Sequence, residues 1–462
     1  MVSIREQQKS NLGVLIFGRK RPGFDQEWSR SIRERTLATL QGMGYRCFGA
    51  ENVVLDDTTI HAAMDTIMAA ECKALIVIQP SISDGQFALT IGQRWGHPVI
   101  LWATPEKQGD GKVSSCALVG QHLWASIYRQ AGHPFELVYG GPEVDPTAMT
   151  AQLQKAIALV QTVTMLKRSK VGVVGTHVPG FIDLAADPFL IRTTFGLQLH
   201  PLSLPQFLDR VAAVNEAAVN ADVAKVRALD LPESVAGGEG VTDAALAVNS
   251  RYYLSMLELM QEAGLDGLAL QCWPELPNVV GQWPYLAVSR LTTEGQVVSI
   301  EGDVDGAIAG LMSSLMGMGP GFLTDWLEHD ESTIQFWHPG MAPLDMCCEV
   351  GGEDGPSLGE HFNGARPFVV DGMLRVGGMV TVSRLWRCDN LYHMTAFEGR
   401  AVEPRRRLSG NTLLVEVSGE SVPVRFDRLI HAGMPHHVTL HHGEHGEQLR
   451  RLARLLSIEW HG

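Results

Sequence analysis

With 462 residues, the chain exceeds what one hydrophobic core serves and implies two to three domains. Its 45% hydrophobic and 19% charged residues are those of a globular enzyme and exclude a disordered or fibrous chain. A net charge of −14, with no basic run beyond Arg405-Arg406-Arg407, excludes a nucleic-acid partner.

No apolar stretch reaches the length of a membrane span, and Met1–Ser10 lacks the apolar core of a signal peptide. Seven cysteines are scattered without a CxxC pair and read as thiols in a reducing compartment. The expected location is the cytoplasm, with no membrane partner.

Residues 1–168 alternate in the βα manner. Leu15–Gly18 is a strand that runs into the polar loop Arg19-Lys20-Arg21-Pro22-Gly23, and helices follow near 28–43, 58–70 and 85–95. The runs 74–78 and 98–102 are apolar at every position, the pattern of parallel strands covered on both faces. The architecture is Rossmann-like, but no GxGxxG follows a strand, so a dinucleotide is not expected.

A second α/β domain, residues 169–340, opens with Lys170–Gly175 and a turn-rich loop, Gly175–Phe181, that carries His177 and has the character of a loop over a ligand. Helices are expected at 204–218 and 243–263. The strand 267–270 then delivers Gln271 and Trp273. The apolar run 297–300 ends on Glu301-Gly302-Asp303 ahead of a helix over 306–316, the run 321–324 delivers Asp325, and the run 333–337 delivers His338. Donors at three strand ends suggest ligands converging at the carboxyl edge of a sheet. A single Asp in such a place is most often a helix cap, which suits Asp303. Apolar neighbours on both sides make Glu301 and Asp325 costly as free carboxylates, and therefore paired or metal-bound.

Residues 341–462 change to short alternating runs at 367–370, 378–385, 392–397, 412–416 and 422–426, an antiparallel sheet or small barrel. A histidine-rich segment, 436–445, and a helix over 446–456 close the chain. One of His436 and His437 should point inward, and alternation does not decide which. His441, His442 and His445 are balanced between solvated and metal-binding readings. The whole is α/β: two Rossmann-like parallel-sheet domains followed by a mainly antiparallel β-rich C-terminal domain.

VSIEGDVDGAIAGLM, GFLTDW, IQFWHPGMAP and AGMPHHVTLHHGEHGEQLRRLARLLSIE together resemble the L-fucose and L-arabinose isomerase superfamily, in its fucose-isomerase-like branch. LWATPE, SSCALVGQHLWASIYRQAG and VGVVGTHVPGF extend the resemblance over most of the chain. The resemblance implies a Mn²⁺ ion held by Glu301, Asp325 and His437, with Glu301 and Asp325 moving a proton between C2 and C1 of a free monosaccharide through a cis-enediol. It implies that Gln271 and His338 contact substrate, with Trp273 and His177 beside them. It further implies a trimer or hexamer with the active site at a subunit interface, covered by the Arg19–Arg21 loop and the Trp95 region. The sugar is fucose- or arabinose-like, or anionic, such as the sulfo-sugar sulfoquinovose, with Arg19 or Arg21 pairing the anion. The rival reading is a non-catalytic sugar-binding or regulatory protein on the same scaffold.

Overall fold

A computed structural model describes residues 11–18, 23–109, 111–142, 144–234, 241–364 and 366–462. They form two compact units, residues 1–167 with 315–317, and the remainder. Arg19 and Arg21 lie outside the described residues.

The first unit holds strands β1 (Asn11–Ile16), β2 (Arg46–Phe48), β3 (Ala74–Ile78), β4 (Val99–Ala103) and β5 (Phe135–Tyr139) in one sheet of order β2-β1-β3-β4-β5. Every pairing is parallel. β3 and β4 are buried at every position, as their unbroken apolar runs require when helices cover both faces. Short polar signals start the helices. Asp56 and Thr59 form a reciprocal capping box before Asp57–Ala69, and Asp145 caps Pro146–Leu166, whose first residue is proline. Trp95 belongs to this unit's core, and its indole N–H donates to the Pro98 carbonyl at 3.1 Å. The expectation that Trp95 offers a covering surface therefore fails at that side chain.

The second unit combines two sheets. β6 (Lys170–Val174), β7 (Gln198–Leu202), β8 (Gly267–Leu270) and β9 (Val298–Ser299) are parallel, in the order β7-β6-β8-β9. β10 (Phe322–His329), β11 (Thr333–His338), β12 (Ser357–Glu360), β13 (Pro367–Met373), β14 (Met379–Cys388), β15 (Leu391–Val402), β16 (Asn411–Val417), β17 (His437–His442) and β18 (Glu459–Trp460) form the second, mainly antiparallel sheet. Its order is β12-β13-β16-β11-β10-β17-β14-β15-β18. An additional β15–β16 pairing closes β16, β11, β10, β17, β14 and β15 into an antiparallel barrel, which leaves those strands no open edge. One hydrophobic core joins the two sheets, with Val174, Leu268 and Ile300 in the same cluster as Phe336, Val382 and Leu440. The fold class is thus the expected one.

Several local expectations change. The segment 422–426 is helical, within Val422–His431, because Ser421 and Pro423 start a helix and Val422, Arg425 and Leu429 recur on one buried face. The helix expected over 204–218 is two, Leu204–Ala213 and Glu216–Arg227, divided where Asn215 caps the second. Asp325 lies inside β10 and not at its end, since the antiparallel ladder with β11 carries the strand past it to His329. The convergence of three strand ends at one sheet edge is replaced by a meeting of the β9 end with the interior of the barrel wall.

Candidate metal centre

Glu301 follows β9 in the left-handed region (φ 59°), an uncommon conformation for a residue with a side chain. Gly302 continues the turn at φ 70°, and a Cβ there would sit 2.2 Å from the Thr176 carbonyl oxygen. Only glycine allows this approach. The loop 175–181 is thereby seated on the strand end, and Val178 N–H donates to the Glu301 carbonyl at 3.1 Å.

The barrel supplies the facing donors. Asp325 of β10 and His437 of β17 are direct partners in the antiparallel register. His437 is the residue that points inward. It is fully buried, with Nε2 3.3 Å from Glu301 Oε2 and 3.7 Å from Asp325 Oδ1. Neither His437 Nε2 nor Asp325 Oδ1 has an aligned hydrogen-bond partner. Ligand atoms of Glu301, His436 and His437 all lie within 4.8 Å of one another. His436, which sequence reasoning treats only as the neighbour of a ligand, thus joins the cluster. Its Nε2 also lacks a partner, while Nδ1 is 2.9 Å from Asp183 Oδ2. Buried polar atoms are ordinarily satisfied, so three unpartnered donor atoms facing Glu301 fit a divalent cation.

Both imidazoles are oriented by carboxylates. His437 Nδ1 lies 3.0 Å from Asp303 Oδ2, and Asp303 is gripped by Arg384 at 2.6 and 3.2 Å, with both residues buried. Asp303 does cap the helix Val304–Leu315, accepting from Gly306 N–H at 2.9 Å, but that cap is only part of its role. A carboxylate on the far nitrogen fixes the tautomer and aims Nε2 at the ion, the usual support of a metal-binding histidine. Two positions on, Asp305 accepts from Arg387 at 3.0 Å and Tyr392 at 2.8 Å, so the barrel holds the start of this helix at two carboxylates.

Charge is balanced tightly here. Burial raises Glu301, but the close His437 ring and its charge, His338 and the Trp273 N–H outweigh it and hold the carboxyl at about 2. Burial lowers His437, but Asp303, Glu301 and Asp325 outweigh that and raise it to about 10. Without a cation, a proton on His437 neutralises part of the carboxylate charge.

Residues 13–167 match the family described as fucose/sulfoquinovose isomerase, N-terminal domain. Sulfoquinovose isomerases of Priestia aryabhattai and Priestia megaterium are each 26% identical over 452 residues, covering 97% of this chain and 98% of theirs. That of Alkalicoccus urumqiensis is 26% identical over 454 residues, with the same coverage. The chain thus resembles the fucose-isomerase-like family over almost its full length.

The other expected residues divide into two groups. Trp273 is at the centre, donating its indole N–H to Glu301 Oε1 at 2.9 Å. Phe181 packs edge-on against Trp273 and His436, at 5.6 and 4.9 Å between ring centroids. Gln271 is one step removed, since its amide accepts from Thr176 N–H and donates to Glu275, a cross-link beneath the loop 175–181. His177 is half-buried on that loop, with Nδ1 3.2 Å from Thr176 Oγ1. His338 is buried with Nδ1 unpartnered and its ring 6.1 Å from that of His437, close to the donors but outside their cluster. Burial lowers its pKa despite the nearby carboxylates. His441 is also buried, which removes it from the solvated reading, and its Nε2 lies 3.2 Å from Ser313 Oγ.

Proposed function

We propose that this protein is a metal-dependent aldose–ketose isomerase acting on a free sulfo-sugar of the sulfoquinovose type. The observation that carries the reading is the convergence of Glu301, His436 and His437, with Asp325 beside them, in a chain similar over almost its full length to proteins named sulfoquinovose isomerase. Carboxylate and imidazole donors suit a hard or borderline divalent ion, and we propose Mn²⁺. When bound, such an ion polarises the sugar carbonyl and acidifies the adjacent hydroxyl.

The chain's own groups perform the proton transfer. Trp273 occupies Glu301 Oε1, which orients the carboxylate and leaves Oε2 on the side of His437. Asp325 Oδ1 is buried and accepts no hydrogen bond, while the side chain as a whole is about a quarter exposed, at 27%, so this carboxylate has one face toward the donors and another toward an arriving sugar. Asp325 and Glu301 are suited to take a proton from C2 and return one to C1, by way of an enediol. Arg19 or Arg21 pairs the sulfonate in this reading. We further propose a homo-oligomer, a trimer or hexamer with the active site at a subunit interface, as the family resemblance implies. A cytoplasmic location accords with seven cysteines that are all free. Among the described residues, no helix is long and apolar enough to cross a membrane.

Incubation of the purified protein with sulfoquinovose and Mn²⁺ in deuterated water tests the reading. Ketose formation with deuterium entering C1 or C2, abolished by chelator and in Glu301→Gln, is the expected result. Sugar binding with neither exchange nor ketose would identify a non-catalytic sugar-binding protein instead.

A further inference from the structure

A second cluster of metal-binding side chains lies at the edge of the barrel and takes no part in the site above. β18 pairs with β15 in parallel, with His393 opposite Glu459. His461 N–H donates to the Met394 carbonyl at 2.9 Å, and Thr395 Oγ1 donates to the His461 carbonyl at 2.5 Å, so the strand is fixed along its length. Residues two apart share a face of a strand, which brings Glu459 and His461 together to the side chain of His393. His393 Nδ1 is 2.9 Å from His461 Nε2 and 3.8 Å from Glu459 Oε2.

The orientation of His393 is settled by a group outside the cluster. Its Nε2 donates to the Cys388 carbonyl at 3.1 Å, so Nδ1 carries the lone pair, and that lone pair faces His461 and Glu459. A backbone carbonyl on the far nitrogen is one of the usual supports of a metal-ligating imidazole. Trp386, the register partner of His393 on β14, stacks on its ring at 5.6 Å and 19°, and packs on His461 at 5.2 Å. The indole closes one side of the cluster with an apolar wall. The other side is open, since the Glu459 side chain is 54% exposed.

We propose that His393, His461 and Glu459 form a second divalent-metal site, selective for a borderline ion such as Zn²⁺, that clips β18 to β15. Two imidazole nitrogens and one carboxylate oxygen, with a fourth position left to water, are a common zinc donor set. Ligands at about 2.0–2.1 Å in tetrahedral array stand roughly 3.3 Å apart. The nitrogens therefore need to separate by only a few tenths of an ångström. In the metal-free protein His461 donates its Nε2 proton to His393. On binding, the cation takes both nitrogen lone pairs and His461 carries its proton on Nδ1 instead.

The experiment is a Zn²⁺ titration of the chelator-stripped, full-length protein by calorimetry, with Co²⁺ absorption as a second readout. Wild type is expected to bind one more Zn²⁺ per chain than His461→Ala, while the two turn over sugar equally. In the His437→Ala background, which removes the other centre, Zn²⁺ should still raise the melting temperature by several degrees, and His461→Ala should abolish that rise. Equal stoichiometry in wild type and His461→Ala, or no rise in the His437→Ala background, overturns the proposal and leaves His393–His461 as a plain hydrogen bond. Glu459→Gln, an exposed and fold-neutral change, should weaken the site at least tenfold, and unchanged affinity counts against it. Loss of function at the first centre would appear in Glu301 and His437 variants and not in those of His461 or Glu459, so the two readings fail separately.

Discussion

β17 buries one histidine near each end, His437 and His441, four residues apart on one face of the same strand, and the two have opposite chemistry. Both are all but inaccessible to solvent. Around His437 stand Asp303, Glu301 and Asp325, and it is raised to about 10. His441 meets a serine hydroxyl and the charges of His445 and His442, and burial first, then those histidines, push it down to about 3. Burial is the same in the two places. What differs is the company brought by other strands and helices, so an inward-facing histidine says little until its neighbours are known.

The largest contrast comes from removing each ring. His437→Ala should lower kcat/KM about a thousandfold or more, as loss of a metal centre entails, whereas His441→Gln should stay within about threefold of wild type. The substitution at 441 should cost about 1–3 kcal/mol in denaturant unfolding, the price of an altered buried polar contact. Comparable activity losses in the two variants would erase the distinction.

Asp303→Asn attacks the environment instead of the ring. It leaves Arg384 buried without its counter-charge and His437 without its orienting carboxylate. Metal affinity should fall roughly 10–100-fold, and stability by about 3–5 kcal/mol. Calorimetric metal binding and urea unfolding measure the two parts separately. Full metal affinity in Asp303→Asn would mean that the register of β10 and β17 is enough to aim the ring.

The two histidines should also impose opposite pH slopes. His437 has a folded pKa above its ordinary value, so its contribution to the metal-free protein is complete below about 6.5 and is lost as pH rises through about 10. A cation must displace that proton, so metal affinity should rise up to about tenfold per pH unit between pH 6.5 and 8. His441, lowered to about 3, destabilises the fold as pH falls from 6.5 toward 3, where the unfolded chain binds the proton and the folded one does not. His441→Gln should therefore flatten the acid limb of the stability profile and leave the metal-affinity slope untouched. Among the residues of the centre, the smallest effect is expected of Trp273→Phe. Removing one N–H donor from Glu301 should lower kcat about threefold to tenfold, with little change in metal stoichiometry.

Much of this was open to reading along the chain. The apolar runs of β3, β4 and β8 marked parallel strands within a residue or so, and Glu301 and Asp325 stood out because charge among apolar residues demands a partner. The limits are instructive. Val422–Phe426 alternates well enough to suggest a strand, yet the start signal of Ser421 and Pro423 prevails and a helix forms. Asp303 reads correctly as a helix cap, but its partners His437 and Arg384 are 134 and 81 residues away, beyond the reach of any local pattern. His436 could not be told from His437 along the chain, because its role depends on Asp183 and on the closeness of the Glu301 turn.

Periodicity, turn chemistry and the cost of buried charge act over a few residues, so the amino-acid sequence alone determined the α/β architecture, the β-rich C-terminal part and the short set of carboxylates and histidines that needed partners. Which of His436 and His437 turns inward, how Asp325 comes to face it inside a closed barrel, and why one buried histidine is kept charged and another neutral were decided by tertiary structure. Those outcomes depend on strand register and on the distances between groups far apart in the chain, and electrostatic interaction depends on those distances rather than on separation along the chain.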